Sequence, residues 1–259
     1  HGHKTASRGF DGYKGHVAID PDSEIITATE VTAGNVGDAE PAAKLLEDVL
    51  GESNAGDAVP TMESAEDAAG ESSDATPKAE IYGDSSYGTA DLVEHIEGAG
   101  AEANVKVQPP SPPKKGMLAQ DAFDIDTTNE AVRCPAGVLV QLRRHGDGFA
   151  RAEFGAACDG CAMRERCTTS PSGRSVNVHP KHETLRRSRE RQRDPSWKKR
   201  YRATRPKVER KIAHLMRRKH GGRRARVRGR ERVAHDFALL AAAVNLTRLA
   251  RLGAAAASG

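Results

Sequence analysis

Glu80-Ile81-Tyr82-Gly83-Asp84-Ser85-Ser86-Tyr87-Gly88-Thr89 is the stretch on which the fold reading turns. Ile81 and Tyr82 favour extended backbone, so residues 80–84 read as a short strand ending in a carboxylate. Ser85 to Gly88 then make a tight turn, and from Thr89 to Gly100 the apolar residues Leu92, Val93 and Ile96 recur at helical spacing. The unit is strand, loop, helix. A carboxylate at the carboxyl end of such a strand stands at the mouth of an open α/β sheet, where ligands and metals collect. A simpler role for Asp84, capping the turn or the helix, fits the local sequence equally well.

Upstream, Phe10 to Ile19 and Ile25 to Val31 flank a turn at Asp20-Pro-Asp-Ser23 and predict a hairpin. Ala39 to Leu50 predicts an amphipathic helix with Ala42, Leu45, Leu46 and Val49 on one face and Asp38 as its cap. Residues 51–78 are mainly Glu, Asp, Ala, Ser and Gly, too poor in apolar side chains to offset the entropy of ordering, and read as a disordered acidic loop. Downstream, Asn104 to Val107 suggests one more strand, and the four prolines of residues 108–115 end regular structure. Residues 121–180 hold short β-like pieces and all four cysteines and read as an insertion. Lys181 to Arg218 is helical in pattern, with Pro195 and Pro206 as interruptions. A last helix is expected over about 234–252, with Phe237, Leu240, Val244, Leu249 and Leu252 facing a core, before a floppy tail.

With 259 residues, 37% hydrophobic, and a mean hydropathy of −0.63, the chain can bury a core but leaves a part without one. No sequence run approaches the roughly 18 apolar residues of a membrane span, so no membrane partner is expected. There is no initiator Met or signal peptide ahead of His1-Gly-His-Lys4, so the chain reads as a fragment. P-loop, GxSxG and GxGxxG motifs are absent, which removes NTP hydrolysis, acyl transfer and dinucleotide binding.

The net charge of +4 conceals a division. Residues 1–100 carry 5 Lys/Arg against 21 Asp/Glu, whereas residues 181–232 carry 23 against 5. A basic density of that order makes a polyanion the expected neighbour, against the plainer alternative of a solvated helix face. Within it, Tyr201, Arg205 and Glu209 recur every four residues and share one helix face. Glu209 is an isolated acid among Arg202, Arg205, Lys207, Arg210 and Lys211. Those neighbours should keep it ionised and ready to bind a divalent cation beside a phosphate; the alternative is a surface ion pair with Arg205. Cys134, Cys158, Cys161 and Cys167 are spaced x23, x2 and x5, a pattern that suits one tetrahedral metal, Zn²⁺ ahead of an iron–sulfur cluster, or else four reduced structural thiols.

Taken together, Tyr82-Gly-Asp84-Ser-Ser-Tyr87-Gly, Tyr201-Arg-Ala-Thr-Arg205-Pro-Lys-Val-Glu209-Arg and the Val233–Leu252 segment containing Ala243-Val-Asn-Leu246 resemble the catalytic half of a bacterial insertion-sequence transposase of the DDE type. Phe10-Asp-Gly-Tyr-Lys-Gly-His16 and Thr32-Ala-Gly-Asn35-Val-Gly-Asp38 are similar to the strands that follow that family's first acidic residue. The resemblance implies an α/β, RNase H-like fold, a mixed sheet flanked by helices with a cysteine-containing insertion between the second and third acids. It divides the chain into core strands and helix over 1–50, the acidic loop over 51–78, core again over 79–116, the cysteine insertion over 117–180, a helical part with a basic DNA-binding face over 181–252, and a disordered tail over 253–259.

The same resemblance implies carboxylates that hold Mg²⁺ (or Mn²⁺) for DNA cleavage and strand transfer at insertion-sequence ends, with Asp84 as the second acid and Glu209 as the third. Tyr201 and Arg205 would contact DNA, Arg205 free to hold a phosphate bidentately. Related enzymes place a Lys after the Glu; position 216 here is Met, so Arg217 or Lys219 would stand in. The first Asp is expected upstream of the Phe10 hairpin, outside this sequence; Asp11, Asp20 and Asp22 fall on the wrong strand or in its turn. The fragment is thus expected to be a truncated enzyme, defective alone, with DNA ends and target DNA as partners, a homodimer in its full-length form, and cytoplasmic, nucleoid-associated. The reading from another class is a non-catalytic, basic nucleic-acid-binding protein with a structural metal knuckle.

Overall fold

The structure is a computed structural model and describes residues 2–5, 8–10, 12–51, 78–217 and 220–257. The acidic loop expected over 51–78 lies, except for its two end residues, outside the described residues. The chain forms two compact units, one from His1–Lys106 with Pro195–Gly259 and the other from Val107–Asp194.

In the first unit, β1 (Gly2–Thr5) and β2 (Arg8–Phe10) form a small antiparallel ladder. The expected hairpin follows as β3 (Tyr13–Ile19) and β4 (Ile26–Ala33), antiparallel, with Tyr13 opposite Ala33 and Ala18 opposite Ala28. Its turn is held by Asp20, whose carboxylate accepts from the backbone N–H groups of Asp22 (3.0 Å) and Ser23 (3.1 Å). The helix expected over 39–50 is broken at Leu46 into α1 (Ala42–Leu45) and α2 (Glu47–Leu50). Ala42 and Leu45 are buried, but Val49 is exposed, so the apolar stripe stops one turn early. Asp38 does not cap this helix. Pro41 takes the N-cap position without a side-chain bond, and Asp38 instead pairs with Lys14 Nζ at 2.8 Å, drawn by a cation that local sequence does not reveal.

β5 (Glu80–Gly83), α3 (Ala90–Gly98) and β6 (Glu102–Val105) realise the strand–loop–helix reading, with β5 and β6 parallel and Tyr82 opposite Asn104. Thr89 caps α3 by accepting from Leu92 N–H at 3.3 Å. Val93 and Ile96 are fully buried, worth about 1.5–3 kcal/mol each. Gly83 ends the strand where a Cβ would stand 3.2 Å from Val105 Cγ1 and 3.3 Å from Tyr87 Cβ.

The second unit is built from two antiparallel three-stranded sheets. β7 (Asp124–Asp126), β8 (Ala131–Arg133) and β9 (Leu139–Gln141) form one; β10 (Arg143–Arg144), β11 (Ala150–Glu153) and β12 (Ser175–Val178) form the other. α4 (Arg164–Cys167) lies between β11 and β12 in sequence, and α5 (His182–Arg191) closes the unit. Its core contains Phe123, Val132, Ala152, Phe154, Val176 and Val178, with the two phenyl rings 5.7 Å apart.

The chain returns to the first unit as α6 (Pro195–Leu215) and α7 (Arg230–Ala257). Pro195 opens α6, where its missing N–H has no helical partner to lose, and Pro206 is accommodated inside. α7 is longer than expected and runs through 253–257, where a tail was predicted; its last turns are rich in alanine, the strongest helix former. By length and composition α7 could cross a membrane, which the sequence reading did not foresee. Its packing gives it another role. Phe237, Leu240, Ala241 and Val244 bury against Ile26, Val31 and Leu215, while Leu249 is exposed. Asn245 locks the helix to β4 by accepting from Ile26 N–H (2.9 Å) and donating to Ile26 O (2.8 Å).

The architecture is mixed α/β with several small sheets. Among the described residues, the first unit holds β3–β4 and β5–β6 as separate ladders and not one continuous sheet. A side-chain hydrogen bond, His16 to Tyr87, connects β3 to the loop after β5 where no backbone ladder runs.

Candidate functional site

Asp84 follows the last residue of β5. Its Oδ1 accepts from Ser86 N–H at 2.9 Å and its carbonyl accepts from Tyr87 N–H at 3.1 Å, so the turn sets the carboxylate's direction. Its Oδ2 accepts from Arg205 Nη2, also at 2.9 Å. The same Nη2 lies 4.0 Å from Glu209 Oε1. Two acids far apart in sequence therefore reach one guanidinium nitrogen, with their oxygens no more than about 7 Å apart, close enough to share an ion pair of roughly 4 Å spacing.

Arg205 differs from its expected state. Its side chain is only 13% exposed, and its Nη2 is engaged by Asp84. Its Nε and Nη1 are buried without an acceptor. Asp84 (41%) and Glu209 (66%) stay open to solvent. The donors are carboxylate oxygens, the hard ligands that Mg²⁺ prefers, and the unfilled guanidinium beside them suits a phosphate oxygen.

Tyr201, one turn before Arg205, donates its hydroxyl to Gly83 O at 3.0 Å. It is a brace between α6 and the strand end that carries Asp84. Trp197, one turn earlier again, stacks on Tyr201 with centroids 4.8 Å apart and planes at 15°, and Tyr82 lies tilted to the same ring at 6.5 Å. Burial pushes the Tyr201 phenol up, and pushes Tyr82 up to about 12 with Glu80 adding to it. Arg217 is exposed just past α6; Lys219 lies outside the described residues.

The sequence reading missed a second ring. His16 is buried, with Nδ1 3.0 Å from Tyr87 Oη and Nε2 2.9 Å from Thr32 Oγ1. Burial holds its imidazole below the usual range. Tyr87 is pushed up to about 12, chiefly by burial and then by the charges of Asp38 and Asp84. Trp197 could have been found by extending the four-residue spacing one turn back from Tyr201. His16 and Tyr87 carry no such signal, because their contact joins distant parts of the chain.

In the second unit, Cys134, Cys158, Cys161 and Cys167 are half-buried free thiols that line a single cavity of about 30 Å³. Among the described residues, no group of three or more His, Cys, Asp or Glu side chains is placed to hold a metal ion as the structure stands.

No curated protein and no solved structure matched the chain. One protein-family model did: that of the transposase DDE domain, over residues 133–250, a span that includes Tyr201, Arg205, Glu209 and all four cysteines. Asp84 precedes the matched segment and meets it through Arg205. The match and the meeting of acids from two separate motifs agree: over residues 133–250 the chain is similar to the transposase DDE domain.

Proposed function

We propose that the protein acts in DNA transposition, in metal-dependent cleavage and strand transfer at insertion-sequence ends, with Asp84 and Glu209 as two of its metal-holding carboxylates. The observation that carries this is the convergence of both acids on Arg205 Nη2. We read the first unit as RNase H-like on the parallel β5–β6 pair, the α3 crossover between them, and the carboxylate at the strand's end.

Asp84 and Glu209 would hold Mg²⁺, or Mn²⁺ in its place, and when bound it activates the attacking oxygen and neutralises the leaving one. The remaining work falls to the chain. Ser86 N–H and the Tyr201–Gly83 bond fix where Asp84 points. Arg205 orients Asp84 through Nη2, and its remaining N–H groups would be the donors for a scissile phosphate. Exposed arginines such as Arg223, Arg224 and Arg228 grip the flanking backbone. DNA ends and target DNA are the partners, and paired ends call for a homodimer.

The test uses the complete reading frame that encodes this chain, with DNA carrying the element's own ends. Asp84→Ala should abolish Mg²⁺-dependent cleavage while gel-shift affinity persists. Unchanged cleavage in that variant, or loss of binding alone, would leave the protein as a basic nucleic-acid binder without catalysis.

A further inference from the structure

The Val107–Asp194 unit contains a feature that DNA chemistry does not use. Its four thiols come from three segments and line one cavity together with Phe123 and Phe154. Two of the segments are tight turns. Cys134-Pro-Ala-Gly137 closes with Gly137 N–H donating to Cys134 O at 2.9 Å, and Gly137 has φ 87°, in the left-handed region that glycine tolerates. Cys134 N–H then donates to Val138 O at 2.9 Å as the chain doubles back. Cys158-Asp-Gly-Cys161 is a second turn, with Gly160 at φ 69° and Cys161 N–H directed at Cys158 O.

The surroundings suit negative sulfur. Arg174 N–H donates to Cys158 Sγ at 3.4 Å. The Arg164 guanidinium donates to Cys158 O (2.9 Å) and that of Arg174 to Cys167 O, tying the cysteine segments together and setting two cations at the rim. Four thiolates around a divalent ion carry a net charge of −2, which two arginines balance.

We propose that Cys134, Cys158, Cys161 and Cys167 form a structural site for one Zn²⁺ ion, closing on it by rotation about their Cα–Cβ bonds while the two turns stay as they are. Each thiol gives up its proton on binding, so the four-sulfur set holds metal more tightly as pH rises. The site would staple a unit whose apolar core is small. Nothing in this depends on Asp84 or Glu209.

The experiment uses the whole chain, purified under reducing conditions without chelator. Metal analysis should find one equivalent of zinc. A thiol reagent should find the native cysteines protected, and all four reactive after exhaustive chelation. Replacement by Co²⁺ should give the intense thiolate charge-transfer absorption of a tetrahedral sulfur site. Cys158→Ser and Cys134→Ser should each weaken zinc retention at least tenfold. Should the variants fail to fold, the thiol count on the unmodified chain still decides. Zinc well below one equivalent with thiols equally reactive before and after chelation, an iron–sulfur chromophore, or a disulfide in the reduced preparation would each overturn the assignment.

Discussion

The Tyr201 hydroxyl donates to Gly83 O at 3.0 Å, and so α6 is fastened to the residue immediately before Asp84. The bond settles two things at once. It places Glu209, two turns further along the same helix face, beside a carboxylate on another element, and it gives Tyr201 a bracing role.

Tyr201→Phe should keep the stack on Trp197 and lose only the hydrogen bond, lowering unfolding free energy by about 0.5–1.5 kcal/mol. Tyr201→Ala removes the ring as well and should lower it by roughly 3–5 kcal/mol. Urea denaturation of both variants measures the difference. Equal losses would mean that the ring carries nothing.

Stability should fall as the solution is acidified below about 6.5, the ordinary histidine value. His16 and His182 are both held below it by burial, so the unfolded chain takes up their protons first. The contribution of the neutral buried imidazoles is complete above that pH and is lost as pH drops toward their folded values, by at most about 1.4 kcal/mol per pH unit for each group. His16→Gln cannot take the charge and should flatten the dependence. An unchanged slope would show that His16 does not titrate with unfolding.

Gly15 is required by packing. A Cβ there would stand 2.8 Å from Phe237 Cζ, on the helix that closes the first unit's core. Gly15→Ala should destabilise by about 1–3 kcal/mol, and Phe237→Leu, which withdraws the ring, should make the second substitution nearly neutral. Simple additivity in that double-mutant cycle would count against the contact.

DNA binding should be steeply salt-dependent. Arg223→Gln with Arg224→Gln, both exposed, should weaken binding alike for all sequences and reduce the slope of log affinity against log salt by roughly 2. An unaltered slope would place the DNA elsewhere.

Local order was legible in the sequence where local forces set it. The 80–105 strand–loop–helix–strand run, the hairpin turn at Asp20 and the shared face of Tyr201, Arg205 and Glu209 all follow from periodicity and turn chemistry. What escaped were choices between partners distant in the chain. Asp38 can cap a helix or pair with Lys14, and only the folded hairpin brings that lysine within 2.8 Å. Arg205 can face solvent or Asp84, and the Tyr201 brace decides it. Leu249 keeps helical spacing on α7 yet is exposed, because β4 covers the helix only as far as Asn245.

The central claim is that Asp84 and Glu209 share a divalent ion, and Mn²⁺ binding followed by electron paramagnetic resonance tests it without requiring turnover. The unmodified chain should bind the ion, and Asp84→Asn and Glu209→Gln should each weaken that binding by about tenfold or more, with the double substitution no worse than a shared site allows. Binding of equal strength in all four proteins would contradict it.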